Sequence, residues 1–308
     1  MIKMQPIIDS QNGQKSNFFT NMGEVRFNGH FILVITFFLI FCGYRPIQKA
    51  RAAETAEDVI QKTISSAEAI KTLTYKLTNT ERIENKLLTG EQLVKLSTQP
   101  FQCYMYFLHP SEGAEVLYIQ NKNDDQLIYS PNSFPYININ LDPNGDLARK
   151  NNHHSIFEVG FNYIVSIFKN INSLPNTTIS LEADVIWETQ SCYKLVIDNA
   201  NYGYTSYLVK RGETVLSIAR KLYLSEYAIM QINNNIDDFD DVNEGDMIKI
   251  PNVYAKRMEL YINKQNYLPL VQKIYDDKGL YEQYEYHDLV VNPSIAAQVF
   301  TEDYLGKK

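Results

Sequence analysis

The chain has 308 residues, 44% of them apolar and 21% charged, with 29 Lys+Arg against 36 Asp+Glu and a formal net charge of −7. This is a globular composition, which excludes a disordered polyampholyte and a polytopic membrane protein. It also argues against nucleic acid as a partner, because phosphate binding needs a basic face.

The first fifty residues read as an address. Phe31 to Cys42 (FILVITFFLIFC) is apolar and uncharged, but a spanning helix needs roughly 20 such residues, so the run fits the core of a secretory signal peptide. Ala50-Arg51-Ala52 supplies the small side chains a signal peptidase requires, and cleavage is expected near Ala52 or Ala53. Met22 is an alternative start. Two further readings of residues 1–52 stay open: an uncleaved N-terminal anchor, or lipidation at Cys42, for which Phe41 is a poor neighbour. All three place the body outside the cytoplasm, in the periplasm or cell envelope. Cleavage would remove six basic and two acidic residues and leave the remainder more acidic.

Beyond the leader, Val59, Ile60, Ile64, Ala67 and Ile70 repeat at helical spacing within Glu54–Ile70. Strands are then predicted at Thr72–Ile83, Glu91–Ser97, Phe101–Leu108, Ala114–Gln120 and Gln126–Tyr129. The signals separating them include Thr89-Gly90, Pro100 and Pro110–Gly113. Short strands with tight turns at about ten-residue spacing imply an antiparallel meander. Ser155–Ile171 reads as a helix apolar on nearly every face, which must be enclosed. His153-His154 just before it read as helix-start residues, with no nearby carboxylate or Cys to complete a metal site. Strands resume at Thr177–Trp187 and Ser191–Asp198. A bridge between Cys103 and Cys192, or two buried thiols, both remain open.

Residues 207–251 read YLVKRGETVLSIARKLYLSEYAIMQINNNIDDFDDVNEGDMIKIP. Gly212 allows a sharp turn after a strand, Thr214 caps a helix over Val215–Leu222, and Ser225 caps a second helix carrying Ala228, Ile229 and Ile232. Pro251 ends the closing strand. This order closely resembles a LysM domain, a βααβ module. The resemblance implies binding of an N-acetylglucosamine-containing glycan, peptidoglycan or a related polymer, in a groove between two loops. It nominates Gly212, Glu213, Thr214 and Val215 on one side and Asn233, Asn234 and Ile236 on the other, with Glu213 replacing the usual Asp. The acidic loop Asp237–Asp241 either keeps itself solvated, binds Ca²⁺ or weakens glycan affinity.

Strands follow at Lys256–Ile262, Pro269–Tyr275 and Leu280–Leu289, with a hairpin loop at Asp276–Gly279 and a short helix expected from Pro293, capped by Asn292. The remainder resembles the DUF1571 family through Arg82, Pro100…Tyr104…Pro110…Gly113…Glu115…Tyr118 and Leu141-Asp142-Pro143…Gly145. More loosely, it resembles the LolA/LolB-like half-barrels that handle lipids and lipoproteins. The expected fold is thus α+β: a curved antiparallel half-barrel sheet enclosing helices, with an inserted βααβ LysM module. The domains are 54–204 and 253–308 for the half-barrel and 205–252 for LysM. The module's close-set ends let it replace a hairpin tip, so Cys192–Asp198 and Lys256–Ile262 should be neighbours with the module projecting from one rim. The resemblance implies an apolar cavity for a lipid or lipoprotein acyl chain, with Phe157, Phe161, Ile164 and Phe168 as its lining; a dry packed core is the competing reading.

No cofactor or metal is expected. Gly-x-Ser-x-Gly and His-Glu-x-x-His are absent, and Cys103/His109 lack the surroundings of a wall peptidase. The expected protein is non-catalytic, with a wall-attached structural protein and, less favoured, a peptidoglycan hydrolase as alternatives.

Overall fold

The computed structural model describes residues 53–171 and 176–307. The expected leader lies outside them. Residues 53–308 form one compact unit.

Helix α1 (Ala56–Glu68) opens on a capping box in which Thr55 Oγ1 accepts from Asp58 N and the Asp58 carboxylate accepts from Thr55 N. Two donors that a helix N-terminus leaves unpaired are thereby satisfied. Thr55→Ala should cost about 1 kcal/mol, measured as a urea midpoint shift of the 53–308 fragment.

Among the described residues thirteen strands follow, in two sheets. β1 (Thr72–Ile83), β2 (Lys86–Thr98), β3 (Phe101–His109), β4 (Glu115–Ile119), β5 (Leu127–Ser130) and β6 (Ile139–Leu141) form a meander. After helices α2 (Asp146–Arg149) and α3 (Asn162–Asn170) come β7 (Thr177–Trp187), β8 (Gln190–Asn199) and the small strand β9 (Tyr204–Leu208). Helices α4 (Val215–Leu222) and α5 (Glu226–Ile232) precede β10 (Met247–Pro251). The chain ends on β11 (Arg257–Asn263), β12 (Pro269–Asp276) and β13 (Gly279–Val291). Eleven strands make one open, curved antiparallel sheet in the order β6-β5-β4-β3-β2-β1-β13-β12-β11-β8-β7, and β9 and β10 pair separately. The two halves join where β1 meets β13.

β8 and β11 are direct neighbours, with Ile197 opposite Met258 and Leu195 opposite Leu260. The sheet therefore continues across residues 200–256, as the close-set ends of a βααβ module permit. Leu73, Tyr75, Val94, Leu96, Cys103 and Met105 point from one face into the main core with α1 and α3. The alternating residues Tyr104, Leu117 and Ile128 face the other way, where Val299 and Phe300 cover them.

Four expectations are corrected. Thr89-Gly90 is not a turn: β2 begins at Lys86 after a two-residue turn at Glu84-Asn85, both with positive φ. Gly90 sits inside the strand opposite Asn79, and the position takes a glycine because a Cβ there would lie 2.7 Å from Asn79 Oδ1. The 155–171 helix is broken at Gly160, whose φ of +88° leaves the helical region and whose missing Cβ lets the backbone approach Leu96. A 3₁₀ turn (Ile156–Glu158) precedes the break and α3 follows it. The expected C-terminal helix is replaced by two 3₁₀ turns, and Asn292 uses its side-chain oxygen to accept from Lys71 N and Thr72 N instead. Lastly, the module does not project: its second helix is docked on the body, as described next. Cys103 and Cys192 are buried free thiols.

Candidate functional site

The module spanning β9 to β10 has its own core of Val209, Val215, Ile218, Ala219, Leu224, Ile229, Ile236, Phe239, Val242, Ile248 and Ile250. Two of the nominated residues, Val215 and Ile236, are buried in that core, so they shape the loops from beneath. Gly212 holds a φ of +75° with open space around it, which suits a turn exposed to ligand. Thr214 caps α4 by accepting from Ser217 N at 3.1 Å. Glu213 does not reach out: its carboxylate accepts from Tyr207 Oη at 2.9 Å, Lys210 N at 3.0 Å and Lys221 Nζ at 2.9 Å. The Lys221 ammonium, followed by the Lys210 amide and Tyr207, pulls its pKa down to about 2. The carboxylate staples the first turn in place.

On the second loop, Asn233 donates to Ile229 O and Lys249 O, both at 2.7 Å, and accepts from Lys249 N at 2.8 Å. This clamps the end of α5 to β10. Asn234 is exposed, as are Arg211 and Gly212 on the first loop. The nominated set thus divides into residues that build the two loops (Glu213, Thr214, Val215, Asn233, Ile236) and residues at the surface (Gly212, Asn234).

The module packs on the body through α5 and its flanks. Ser225 Oγ lies 2.9 Å from Tyr281 Oη, Tyr163 Oη donates to Leu224 O at 3.3 Å, and Tyr227 stacks on His153 at 4.6 Å between ring centroids. The Arg149 guanidinium lies 3.8 Å from the Phe239 ring centroid and 3.7 Å from Glu226, both ions being about 1% exposed. Burial raises the Glu226 pKa, with Glu158 adding to it and Arg149 opposing. Asp238 of the acidic loop faces Asp146, whose pKa is raised by burial first and by Asp238 next.

Beneath this junction lies a polar cluster that sequence reasoning missed. His153 and His154 do stand just before a helical turn, but the expectation that no carboxylate is near them is corrected: carboxylates surround them. His153 Nδ1 lies 2.9 Å from Glu282 Oε2, and its backbone amide donates to Glu81 Oε2 at 2.9 Å. His154 Nε2 lies 3.2 Å from Glu282 and its Nδ1 3.2 Å from Glu158. Tyr254 and Tyr284 donate to Glu282 and Glu81. Burial opposes charge on His154, but Glu282 and Glu158 outweigh it and hold its pKa well above the ordinary value. The same two histidines keep Glu282 low against the opposing effect of burial. The cluster is enclosed and internally paired, which makes it structural. Among the described residues, no group of three or more His, Cys, Asp or Glu could hold a metal ion.

The four apolar-cavity candidates belong to the main core. Phe161, Ile164 and Phe168 are 2–3% exposed, and Phe157 packs on Phe101 and Tyr118. A recess between the module and the sheet, lined in part by Tyr202, Gln231, Tyr254 and Tyr281, has room for about one water molecule. It is not an acyl-chain site, and none of the four candidates lines it.

Comparison with known proteins places two regions. Residues 207–251 match the LysM domain model, and residues 70–189 match the model described as a protein of unknown function, DUF1571. The chain therefore carries a LysM domain and a DUF1571 region. No curated protein matches it. Solved structures similar to it include a LolA superfamily protein from Nitrosomonas europaea, at 12% identity and a TM-score of 0.32, with 82% of this chain and 100% of that one covered. Another is lipoprotein LppX from Mycobacterium tuberculosis, at 11% and 0.40, with 78% and 97% covered. A third is the MucA/MucB complex of Pseudomonas aeruginosa, at 11% and 0.41, with 80% and 61% covered.

Proposed function

We propose that this is a non-catalytic, exported cell-envelope protein that binds N-acetylglucosamine-containing glycan, peptidoglycan in the first instance, through its LysM domain. The LysM match over 207–251, on a segment folded strand–helix–helix–strand with both loops at its surface, carries this reading. Gly212 and Asn234 face the glycan from the two walls of the groove, which Glu213, Thr214 and Val215 on one side and Asn233 and Ile236 on the other hold in shape. Backbone groups of the exposed turn meet the acetamide and hydroxyl oxygens. Residues 205–252 are the glycan-binding domain; 54–204 and 253–308 are the body that carries it.

The peptidase alternative is disfavoured by Cys103, which faces the main core and is fully buried, with burial pushing its thiol pKa up. A nucleophilic Cys needs the opposite environment. For the body, the packing of Phe161, Ile164 and Phe168 favours a wall-attached protein with no resident acyl chain; a lipid or lipoprotein chain would enter only if this packed core opened. Mass spectrometry of lipid extracted from the natively purified protein should find no stoichiometric lipid, and a stoichiometric one would restore the acyl-carrier reading.

The test of glycan binding is co-sedimentation of residues 53–308 with purified peptidoglycan. The fragment should pellet with the polymer. Asn234→Trp, which places a bulky ring on an exposed position, should lower the bound fraction at least tenfold while leaving the urea midpoint unchanged.

A further inference from the structure

Between β5 and β6 the chain makes a loop that neither the LysM domain nor the core accounts for. Phe134, Tyr136, Ile137 and Ile139 are 87%, 69%, 61% and 47% exposed. Contiguous exposed apolar side chains on an otherwise acidic chain mark an interaction surface. The loop is held in shape: Asn132 Nδ2 donates to Glu112 O at 3.2 Å, Tyr136 N donates to Ser133 O at 2.7 Å, and Tyr129 pairs with Ile139 at its base. The apolar tip is therefore presented by a defined turn on the outermost strand pair of the sheet.

Charge identifies the occupant. From Gln126 to Leu141 there is no Asp, Glu, Lys or Arg, although 21% of the chain is charged. The charge nearest the tip is Glu112, exposed on the neighbouring β3–β4 turn whose carbonyl accepts from Asn132; at the base of the hairpin Asp124 and Asp125 with Lys122, and Asp142 and Asp146, resume the charged sequence. A neutral tip of Phe, Tyr and Ile with interspersed Asn, Ser and Pro matches the boundary between headgroups and acyl chains, where aromatic rings with a polar end are favoured. The flanking acids repel anionic headgroups, so the matching surface is a zwitterionic bilayer. We infer that the 131–139 loop is a membrane-docking finger that inserts Phe134, Tyr136 and Ile137 into the interface of a neutral lipid surface.

The experiment uses residues 53–308, the compact unit that leaves out the apolar run at 31–42. In flotation with phosphatidylcholine/phosphatidylethanolamine vesicles, the fragment should rise with the lipid. The Phe134→Ser/Ile137→Ser double variant should float at least tenfold less while keeping its melting temperature, since both side chains are exposed. Adding phosphatidylglycerol should weaken flotation. The chain has a single Trp, Trp187, on β7 at the far edge of the sheet. Phe134→Trp in a Trp187→Phe background should show a blue shift on adding vesicles and quenching by bromine-labelled acyl chains. Three results overturn the inference. One is a fragment that stays at the bottom at saturating lipid; the second is flotation that the double substitution leaves intact. The third is a fragment dimeric in solution whose double variant is monomeric and which never floats, making a second copy the occupant.

Discussion

Replacing Glu282 by alanine should destabilise the 53–308 fragment by about 3–5 kcal/mol, the cost of removing one partner from a buried ionic group. Glu282 is 1% exposed and accepts from His153, His154 and Tyr254, and without it the partly buried His154 keeps only Glu158 as its anion. The pH dependence gives a second readout. The folded-state pKa of His154 is raised above its ordinary 6.5, so its contribution is complete below about that pH and is lost as pH climbs through the folded value. That of Glu282 is lowered from 4.5, so its contribution is complete above 4.5 and is lost as pH falls toward the folded value. The parent fragment should be most stable between these limits and decline on the alkaline side as His154 deprotonates. Glu282→Gln, which keeps the shape, should flatten both flanks. A cost under about 1 kcal/mol, or an unchanged pH profile, would contradict the assignment.

Arg149→Ala should cost a similar 3–5 kcal/mol, because it removes the nearer and more buried of the two cations facing Glu226 (Arg220 Nε lies at 4.0 Å) and the donor to His153 O at the junction of module and body. The pair is poorly matched: its nitrogen–oxygen distance is 3.7 Å, and neither Glu226 oxygen nor Arg149 Nε or Nη1 has a hydrogen-bond partner. Buried charges so incompletely satisfied offset little of their desolvation. The double variant Arg149→Met/Glu226→Leu should therefore be as stable as the parent or more so, and a urea-unfolding double-mutant cycle should show strong non-additivity. Additive losses would mean that the two ions do not act on each other.

Much of this fold is legible in sequence because period and chemistry agree locally. Leu73, Tyr75 and Leu77 alternate along β1, Thr214 and Ser225 stand where helices need caps, and the order of motifs in 207–251 reports a LysM domain. The failures share a cause: each depends on what lies opposite. Lys86–Gly90 becomes strand because β1 pairs with it, against a local turn signal. Val299 and Phe300 settle into a 3₁₀ turn because they cover Tyr104, Leu117 and Ile128 on the outer face. Within the candidate site, Thr214 was readable as a cap, but the staple made by Glu213 and the clamp made by Asn233 required the positions of Tyr207 and Lys249. Glu226 and Tyr227 look like ordinary surface positions of a short helix until the body is placed beneath them. Glu81 and Glu282 likewise show in sequence only as single acids within strands, with nothing to link them to His153 and His154 some 70 and 130 residues away.

The central claim, a glycan site on the two loops of the LysM domain, is tested most directly by hydrogen exchange on residues 53–308 with and without a soluble N-acetylglucosamine tetramer. Protection should rise at amides in 210–215 and 233–236 and remain unchanged along β1 and β13. Exchange unaltered in both loops at saturating sugar, or protection gained only elsewhere in the fragment, would contradict it.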